Sequence, residues 1–487
     1  SKGRTPRYSG AMRLSELFDG LQSGQGDAEV SSMALDDRLV VPGTLFCCVT
    51  GFERDGHDFA PSAVERGAAA LLTERELGLG VPEVVVENVR AAIAPAAAKL
   101  NGNPTEALKM VGITGTNGKT TTAFLTRALL EASGQQTGLL GTVEQIIGGD
   151  REATVRTTPE AIELQRCFAQ MVAASDEACV IEVSSHAIAL HRSDAIDWDV
   201  TVFTNLSREH LDFHGAIEDY FAVKARLLVD AEVPSVVNID DEHGRRLAAE
   251  LTDVTTVGIT SGDADLRAES IRTDAAGSTF TAGGIEFRVP LPGDFNVLNA
   301  LCAIAAARIL GLDDSVIAAA LPGAEVAPGR FEPVDAGQRF AAIVDYAHTP
   351  DSLENALRTA RALTGGQLII VFGAGGDRDS GKRAEMGHVA SELADVMVVT
   401  SDNPRSEEPG AIVEAILAGV SDTGVARVEV VIDRSEAIEA AVAQAGDDDV
   451  VLVAGKGHEQ GQEIAGGVVL EFDDSAVLSA AIERRLA

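Results

Sequence analysis

The chain has 487 residues and a formal charge of −36, from 39 Lys and Arg against 75 Asp and Glu. A chain this acidic is a poor candidate for coating nucleic acid or an anionic membrane surface, although a local cluster of donors can still bind a small anion. The 45% apolar content and 48 Gly argue for a globular protein rather than a disordered one. At about 150 residues per domain, the length predicts about three domains.

The five cysteines form no CxxC pair; they are Cys47, Cys48, Cys167, Cys179 and Cys302. We expect buried, reduced thiols, with Cys47 and Cys48 on opposite faces of a strand. The first thirty residues contain no apolar run like a signal peptide, and no later stretch approaches eighteen uninterrupted apolar residues. We therefore expect a soluble, cytoplasmic protein.

The first section of the chain, residues 1–108, is predicted to be a small α/β domain. It contains four short apolar runs typical of strands: Leu39–Val41, Leu45–Val49, Ala68–Leu72 and Val84–Val86. Gly, Pro and charged turns separate the runs. A turn-rich break at Asn101-Gly102-Asn103-Pro104 suits a linker to the next domain.

The second section, 109–328, and the third, 329–487, both alternate predicted strands with helices. The second opens with a strand ending at Thr114, followed by helical spacing over Thr120–Glu131. Its other predicted strands are Ala178–Val183, Val200–Phe203 and Ser235–Ile239. Those of the third are Ala341–Val344, Leu368–Phe372, Val396–Thr400, Val428–Ile432 and Val450–Ala454. Such alternation predicts an α/β fold with mostly parallel sheets covered on both faces, the third section being Rossmann-like.

A glycine-rich loop between the first strand and helix of the second section gives the strongest single signal. It reads Thr114-Gly115-Thr116-Asn117-Gly118-Lys119-Thr120. Backbone N–H groups of such a loop turn onto phosphate oxygens, and the N-terminus of the following helix adds positive partial charge. Lys119 supplies a charge for the outer phosphates, and the Thr120 hydroxyl can ligate Mg²⁺. Because Ile113 stands where the full Walker pattern has Gly, this is a shortened variant, and it predicts an ATP site.

Several further segments occur in a fixed order along the chain. They are Thr157-Thr158-Pro159-Glu160, Glu182-Val183-Ser184-Ser185-His186, the run from Thr204 to Asp212, the run from Tyr220 to Lys224, the run from Asp345 to Pro350, Asp402-Asn403-Pro404-Arg405 and the run from Gly455 to Glu459. Read with the glycine-rich loop, they resemble the Mur ligase family, the ATP-dependent amino-acid-adding enzymes of peptidoglycan synthesis. The resemblance runs from about Asp36 to Asp474.

The resemblance assigns catalytic roles to Lys119, Glu182, His210 and Lys224. Glu182 ends a predicted strand, where open α/β sheets place their ligands. The family implies that Glu182 and His210 coordinate Mg²⁺, together with Thr120. By itself Lys224 would be interpreted as a solvated lysine on a helix. The family instead implies that CO₂ carbamylates Lys224, which turns a cation into an anionic oxygen ligand for a second Mg²⁺.

The resemblance also implies two sets of binding residues. For ATP they are Gly115, Thr116, Asn117, Gly118, Lys119, Thr120, Thr121, Asn296, Asn299, Arg330, Asp345 and His348. For UDP-MurNAc-dipeptide they are Leu35, Asp37, Thr157, Thr158, Ser184 and Arg192. By itself, helix capping would explain Asn296 and Asn299 equally well. This chain departs from the family pattern at Asp37, where a serine is usual, and at Leu190, where a glutamine is usual.

The segment Asp402-Asn403-Pro404-Arg405 indicates which amino acid is added. A guanidinium at Arg405 suits the second carboxylate that distinguishes meso-diaminopimelate from lysine. We expect lysine to leave Arg405 unpaired, a discrimination of about 10²- to 10⁴-fold. Arg378, Gly455 and Glu459 match the rest of the family's diaminopimelate pocket, with Glu459 as a partner for the distal ammonium.

The implied function is ATP-dependent ligation of meso-diaminopimelate to the D-Glu γ-carboxylate of UDP-MurNAc-L-Ala-D-Glu through an acyl phosphate. The uridine end, ATP with Mg²⁺, and the amino acid would occupy the first, second and third domains respectively. We expect a monomer whose partners are these small molecules, without nucleic acid or membrane insertion. Two alternatives stay open: a ligase of the same architecture that adds L-lysine or acts on folylpolyglutamate, and a nucleotide-binding scaffold without catalysis.

Overall fold

The computed structural model describes residues 10–19, 26–52, 54–421 and 423–487, so residues 1–9 of the predicted first domain lie outside it. The chain divides into two compact units. The first comprises Ser1–Thr114, Leu130–Val202 and Val223–Ser235, and the second Gly115–Leu129, Phe203–Ala222 and Val236–Ala487. In the described part of the chain, no helix combines the length and apolar character that a membrane span requires.

The first unit is a mixture of short strands and helices. Its strands are Met12–Arg13, Glu29–Val30, Ser32–Ala34, Thr44–Cys47, Ala68–Thr73, Glu83–Val85, Lys109–Thr114, Thr137–Leu140, Glu144–Ile147, Asp150–Ala153 and Ala178–Glu182. Its α-helices are Leu14–Leu17, Ala60–Glu65, Val89–Leu100, Ala161–Ala173 and Ser185–Ala189. Two strands, Val200–Phe203 and Ser235–Asn238, and two helices, Lys119–Ala132 and Ile217–Val229, begin in one unit and end in the other.

Four parallel strands near the N-terminus form a small sheet in the order Ser32–Ala34, Thr44–Cys47, Ala68–Thr73 and Glu83–Val85. Successive side chains point to opposite faces of a strand. Cys47 accordingly packs in one apolar cluster, with residues of helix Val89–Leu100, and Cys48 in another. The prediction for the cysteines is confirmed: all five are free, and all except the half-buried Cys167 are buried.

One predicted strand is wrong. In place of a strand at Leu39–Val41, residues Asp37–Leu39 form a 3₁₀ turn. The Asp36 carboxylate accepts a hydrogen bond from the Arg38 N–H at 2.9 Å, and Leu39 is 70% exposed. A short side-chain cap therefore competes with strand pairing here. Of the predicted run only Val40 is buried, in an apolar cluster, and Val41 is 54% exposed.

Five neighbouring strands of the first unit lie in the order Asp150–Ala153, Glu144–Ile147, Thr137–Leu140, Ala178–Glu182 and Lys109–Thr114. The last three are parallel, and Glu182 is aligned with Ile113, one residue before the end of its neighbour. Glu182 thus ends one strand and Thr114, the first residue of the glycine-rich loop, ends its neighbour, at the edge where parallel sheets place ligands.

The second unit contains the remaining elements. Its strands are Val254–Gly258, Leu266–Asp274, Gly277–Ala282, Ile285–Val289, Glu332–Pro333, Ala341–Asp345, Leu368–Phe372, Val396–Val399, Arg427–Val430, Val450–Ala454, Gly461–Ile464 and Val468–Glu471. Its α-helices are Leu211–His214, Glu242–Ala248, Asp294–Ile309, Asp314–Ala320, Pro350–Ala362, Lys382–Leu393, Pro409–Leu417, Arg434–Gln444 and Asp474–Leu486.

A six-stranded sheet organises the C-terminal part of the second unit. Its order is Glu332–Pro333, Ala341–Asp345, Val450–Ala454, Leu368–Phe372, Val396–Val399 and Arg427–Val430, with all but the first strand parallel. Separate apolar clusters cover its two faces, which confirms the predicted α/β class. Because these strands are parallel, the loops that follow residues 345, 372, 399 and 454 all lie at one edge of the sheet.

A fully buried ion pair, Arg434 with Asp474, is hydrogen-bonded to the backbone where two of these loops begin. The Arg434 guanidinium donates to both carboxylate oxygens of Asp474 at 2.7 Å, and neither side chain is exposed. Arg434 also donates to the carbonyl oxygen of Ala454 at 2.9 Å and to that of Ser401 at 3.4 Å. These are the residues immediately before Gly455 and Asp402, so the pair fixes where both loops begin.

We expect Asp474→Asn to destabilise this sheet strongly, because it leaves the Arg434 charge buried without its counter-charge. The expected loss in unfolding free energy is about 3–5 kcal/mol, measured by native-state amide hydrogen exchange of strand Val450–Ala454. The control is Glu439→Gln, which breaks the exposed Arg484–Glu439 pair and should change stability by no more than about 0.5 kcal/mol. Equal effects of the two substitutions would contradict this assignment.

Candidate active site

The glycine-rich loop is braced by Thr204 and Asn205 within the second unit. The Asn205 carbonyl oxygen accepts from Thr116 N at 2.9 Å, and its side-chain oxygen accepts from Asn117 N at 2.9 Å. In return, the Thr204 hydroxyl and the Asn205 amide donate to the Asn117 carbonyl oxygen at 2.6 and 3.0 Å. The loop conformation is therefore set before any ligand binds.

Two glycines of this loop are required by close approach as well as by backbone conformation. At Gly115, with φ +143°, a Cβ would lie 1.9 Å from Thr204 Oγ1. At Gly118, with φ +84°, it would lie 2.2 Å from Asn299 Oδ1. Any larger residue would push the loop away from its braces.

Lys119 begins the helix that follows the loop. Its ammonium donates to the carbonyl oxygens of Gly115 and Thr116 at 3.0 and 2.8 Å. Thr120 accepts a hydrogen bond from Arg330 at 3.2 Å. A positive charge, a hydroxyl and a guanidinium thus lie together at the start of this helix, which is the arrangement that an anionic phosphate chain requires.

A cavity of about 330 Å³ adjoins the loop. The structure brings most of the predicted ATP residues to its wall: Asn117, Gly118, Thr121, Asn296, Asn299, Arg330, Asp345 and His348. Asn296 and Asn299 are buried inside helix Asp294–Ile309, whose N-cap is Gly293, so capping does not account for them. Asn296 instead donates to the Pro292 carbonyl oxygen at 2.9 Å.

Arg330 lines this cavity and has a hydrogen-bond donor without a partner. Its guanidinium lies 4.4 Å from the centre of the Tyr346 ring, and its buried Nε atom has no hydrogen-bond partner within the described residues. A buried donor without an acceptor is costly. A nucleotide oxygen would satisfy Arg330, so the residues present fit ATP.

Asp345 is held rigidly at the end of its strand. Its carboxylate oxygens accept from the backbone N–H groups of Phe331 and Ala347 at 2.7 and 2.8 Å. Burial raises the pKa of Asp345, against the opposing effect of the Arg330 charge and these hydrogen bonds. Its orientation toward the cavity is therefore fixed by backbone groups on both sides.

Glu209 is a site residue to which the sequence analysis assigned no role, although it lies in the segment from Thr204 to Asp212. His348 Nε2 lies 2.9 Å from Glu209 Oε1, and His210 Nε2 lies 3.6 Å from Oε2. Burial by itself would raise the pKa of Glu209, but the hydrogen bond from His348 and the charges of His210 and Lys119 hold it well below its usual range. Glu209 thus links a predicted ATP residue to a predicted metal ligand.

Glu182 is completely buried, not a surface carboxylate. Its two oxygens accept from the backbone N–H and the hydroxyl of Thr142 at 2.8 and 3.0 Å. The Thr142 hydroxyl also lies 3.1 Å from that of Thr157. At Gly141 a Cβ would lie 2.4 Å from Glu182 Oε1, so this glycine makes room for the carboxylate.

Thr158, Ser184 and Arg192 meet next to Glu182 in the first unit. Thr158 donates its hydroxyl to the Glu182 carbonyl oxygen at 2.8 Å and accepts from Ser184 N at 3.0 Å. Arg192 donates to the Thr158 carbonyl oxygen at 3.3 Å, while its buried Nε has no partner in the described residues. Burial lowers the pKa of Arg192. The group offers hydroxyls and one unused cationic donor.

Three arginines surround one carboxylate, Glu160, in the same unit. Arg192, Arg156 and Arg90 approach it at 2.8, 3.1 and 3.4 Å. Arg90, Arg156 and Glu160 also line a cleft of about 840 Å³. Glu160 belongs to a segment singled out in the sequence, but Arg90 and Arg156 carried no signal there, and Arg90 lies 70 positions from Glu160.

Leu35 lines this cleft, whereas Asp37 is absent from its lining residues. The Asp37 carboxylate instead accepts from the Ser62 hydroxyl at 2.7 Å and lies 3.8 Å from Arg66 Nε. The Asp37 carboxylate, which stands where the family usually has a serine, is therefore already in contact with Ser62 and Arg66. Leu190, the other departure, is the C-cap of helix Ser185–Ala189.

Lys224 lies in helix Ile217–Val229 and is only 1% exposed. The interpretation that it would be a solvated lysine is therefore wrong. Burial of an ammonium group is unfavourable unless the charge is compensated or removed, so this position differs from that of an ordinary surface lysine.

A polar network surrounds Asn403 in the predicted diaminopimelate segment. Its side-chain amide donates to Glu459 at 2.8 Å, and its side-chain oxygen accepts from Lys456 at 2.9 Å. Lys456 is fully buried and also donates to Glu459 at 2.9 Å. Glu459 was predicted to bind the distal ammonium of diaminopimelate. Its negative charge is already neutralised by Lys456.

Arg405 adopts a left-handed backbone conformation, with φ +51°. Its Nε donates to Glu463 at 2.8 Å, and its Nη1 donates to the Gly376 carbonyl oxygen at 2.8 Å. The expectation that Arg405 would be unpaired without a second substrate carboxylate is therefore wrong. Glu463 already neutralises it, and this partner lies 58 residues further along the chain.

The other predicted diaminopimelate residues lie beside this network. A Cβ at Gly455, with φ +115°, would come within 2.5 Å of Asp402 Oδ2. The Pro404 carbonyl oxygen would lie 1.9 Å from a Cβ at Gly376. Arg378 is exposed, and a Cβ at Gly375 would lie between Arg405 Nη1 and Arg378 Cγ at 3.1 and 3.8 Å. Both arginine side chains therefore approach the backbone at Gly375, where there is no side chain.

Comparison with known families gives three consecutive matches. The model described as Mur ligase family, catalytic domain matches residues 29–113, and that of the Mur ligase middle domain matches 113–307. The model described as Mur ligase, glutamate ligase domain matches 329–457.

Relatives and solved structures agree with these matches. UDP-N-acetylmuramoyl-L-alanyl-D-glutamate--2,6-diaminopimelate ligase of Streptomyces coelicolor is 47% identical over 97% of both chains. The Geobacillus kaustophilus protein of the same name is 45% identical over 94% of this chain and 96% of its own. A solved structure with that name has a TM-score of 0.71 at 32% identity, covering 98% of this chain and 100% of the other. On this evidence the chain belongs to the Mur ligase family.

Proposed function

We propose that this chain joins meso-diaminopimelate to UDP-MurNAc-L-Ala-D-Glu with consumption of ATP, a step of peptidoglycan synthesis. The observation that carries the proposal is the 47% identity, over 97% of both chains, to a ligase named for these two substrates. Arg405 at the edge of the C-terminal sheet supports it, because a guanidinium matches the distal carboxylate of the amino acid.

The reaction divides into two steps. The D-Glu γ-carboxylate attacks the terminal phosphorus of ATP, so an acyl phosphate forms and ADP leaves. The uncharged amine of diaminopimelate then attacks the acyl carbon, and the tetrahedral intermediate collapses to the amide with loss of phosphate and a proton. Catalysis of this kind depends on positioning and on neutralising phosphate charge.

The chain's own residues supply this positioning. Lys119 exchanges its hydrogen bonds to the loop carbonyls for the outer phosphates, while Arg330 uses its unpaired Nε and the backbone N–H groups of the loop bind phosphate oxygens. Asn296, Asn299, Asp345 and His348 complete the nucleotide site. Thr157, Thr158, Ser184 and Arg192 are proposed to hold the UDP-MurNAc-dipeptide, with Leu35 and Asp37 toward its uridine end.

Mg²⁺ is the cofactor we propose. The ligands we propose are Thr120, Glu182, His210 and carbamylated Lys224. No group of three or more His, Cys, Asp or Glu side chains is preassembled among the described residues. Mg²⁺ is typically held by few protein ligands together with phosphates and water. When bound, Mg²⁺ neutralises the charge that develops on the transferring phosphoryl group.

The predicted domains keep their proposed roles, with 1–108 for the uridine end, 109–328 for ATP and 329–487 for the amino acid. We further propose that the protein acts as a monomer on these small molecules alone. The cytoplasm is the proposed compartment, because it holds ATP and reduced cysteines.

The first test is phosphate release with ATP, Mg²⁺ and UDP-MurNAc-L-Ala-D-Glu, comparing meso-diaminopimelate with L-lysine. We expect kcat/KM to be at least about 100-fold higher for diaminopimelate, because lysine lacks the carboxylate that Arg405 binds. Preference for lysine would contradict the assigned amino acid. ATP binding without turnover of either would instead favour a scaffold.

Arg405→Ala tests the residue on which the choice of amino acid depends. We expect the KM for diaminopimelate to rise about 100-fold, with the KM for ATP unchanged, since a charged bidentate contact is lost. Arg339→Ala removes an arginine whose side chain is 81% exposed and serves as the control. A parallel rise in the KM for ATP would indicate general damage to the domain.

Lys224→Ala tests the proposed carbamate. We expect kcat to fall at least about 100-fold, because an anionic group at the reacting centre is lost. Protein equilibrated with ¹³C-bicarbonate should show a carbamate carbon signal that the variant lacks. Lys99→Ala, which removes a lysine paired with Asp19, should keep both the activity and the signal. Identical spectra for Lys224→Ala and the unaltered chain would refute carbamylation.

A further inference from the structure

One carboxylate, that of Glu160, brings three arginines of the first unit together. Glu160 Oε1 accepts a hydrogen bond from Arg156 at 3.1 Å and lies 2.8 Å from Arg192 Nη2. Glu160 Oε2 accepts from Arg90 at 3.4 Å, although the two residues are 70 positions apart in the chain. Both oxygens of the carboxylate are therefore engaged, and each contact reaches a different part of the sequence.

The four side chains carry an excess of positive charge. Three guanidinium groups, which stay protonated in proteins, face one carboxylate, so the group has a net charge of 3 − 1 = +2. In the described part of the chain, none of the three arginines forms an ion pair with any other carboxylate. Glu160 is thus the group that allows these like charges to lie close together.

Arg192 depends on this contact more than its neighbours do. The side chains of Arg192 and Glu160 are 13% and 14% exposed, whereas that of Arg156 is 54% exposed. Burial lowers the pKa of Arg192, and the charges of Arg156 and Arg90 add to this effect while that of Glu160 opposes it. A guanidinium withdrawn from water needs a counter-charge close by. Among the described residues, Glu160 supplies it.

The three arginines reach both groups of residues that we propose for the sugar nucleotide. Arg192 donates to the carbonyl oxygen of Thr158 at 3.3 Å. Arg90 and Arg156 line the cleft of about 840 Å³ that Leu35 also lines. A single carboxylate therefore connects residues proposed for the two ends of one substrate.

We propose that Glu160 is a positioning residue for the sugar nucleotide and that it acts through Arg192. This inference rests on the proposed function. Both Glu160 oxygens already contact cations, and an anionic substrate gains nothing from a further negative charge, so Glu160 does not itself bind the substrate. It holds the Arg192 guanidinium beside Thr158, with the buried Nε, which has no partner in the described residues, left for a substrate oxygen.

Removal of the Glu160 charge has two effects of opposite sign on an anionic substrate. The more positive cluster attracts the substrate more strongly. The loss of the counter-charge lets Arg192 turn toward solvent, away from the two other cations, so its orientation is lost. Because Arg192 and Glu160 are both largely buried, water screens their contact only weakly. We therefore expect the loss of orientation to outweigh the gain in attraction.

The test is Glu160→Gln, because glutamine keeps the length and an acceptor oxygen but loses the charge. We expect the KM for UDP-MurNAc-L-Ala-D-Glu to rise about 10- to 100-fold. The KM values for ATP and meso-diaminopimelate should stay within about 2-fold. The Kd of the sugar nucleotide, measured by calorimetry without ATP, should rise as its KM does. An unchanged or lower KM for the sugar nucleotide would overturn the proposal.

A double variant shows whether Glu160 acts through Arg192. Arg192→Ala by itself should raise the KM for the sugar nucleotide at least as much as Glu160→Gln does. In the Arg192→Ala background, Glu160→Gln should add less than about 3-fold, because the side chain that it positions is already gone. Full additivity of the two losses would contradict a role through Arg192.

Two further variants separate positioning from folding. Glu160→Asp keeps the charge, so we expect a smaller rise in the KM for the sugar nucleotide than with Glu160→Gln. Glu286→Gln makes the same change in the exposed pair with Arg272 and should alter none of the three KM values. If Glu160→Gln does not fold, Glu160→Asp decides: a rise confined to the sugar nucleotide supports the proposal, and equal rises in all three KM values overturn it.

Failure of this inference differs from failure of the proposed function. Turnover of the unaltered chain together with unchanged kinetics of Glu160→Gln overturns only the role of Glu160. No turnover of the unaltered chain with UDP-MurNAc-L-Ala-D-Glu overturns the proposed function itself, and with it this inference.

Discussion

Several charges in the interior of this protein are compensated in place, and some of them belong to the proposed binding sites. Removing an ion from water costs several kcal/mol unless a counter-charge lies close by. Arg434 with Asp474 and Lys456 with Glu459 meet this requirement, and the Glu209 carboxylate is hydrogen-bonded to His348. In the C-terminal sheet, the Arg434–Asp474 pair also fixes where two loops begin.

This constraint has a direct consequence for recognition. A site of uncompensated arginines would attract many anions, whereas a paired arginine favours a ligand that can complete or replace its partner. Arg405 with Glu463 and Arg192 with Glu160 are such pairs. Selectivity among small acidic molecules can therefore arise in a protein whose own formal charge is −36.

Parallel strands bring several of the proposed binding residues to one edge of a sheet. In the C-terminal sheet, strands Ala341–Asp345, Val396–Val399 and Val450–Ala454 end on the same edge, and their loops carry Asp345, the segment 402–405 and Gly455. Arg434 joins two of these loops by their first carbonyl groups. Precise placement of the site thus depends on a fully buried ion pair that itself lies outside the proposed binding residues.

The sequence by itself determined the elements and the family. Apolar runs bounded by glycine loops predicted strands such as Leu368–Phe372 and Val450–Ala454 to the residue, because buried parallel strands need continuous apolar side chains. The motif order identified the Mur ligases. Tertiary structure alone decided which side chains are buried and which charged groups are in contact. It buries Lys224, brings Glu209 to His348 across 139 positions of the chain, and places Glu463 against Arg405. Local patterns report how a segment folds, but a residue's partner is set by the packing of distant segments, which periodicity and composition do not encode.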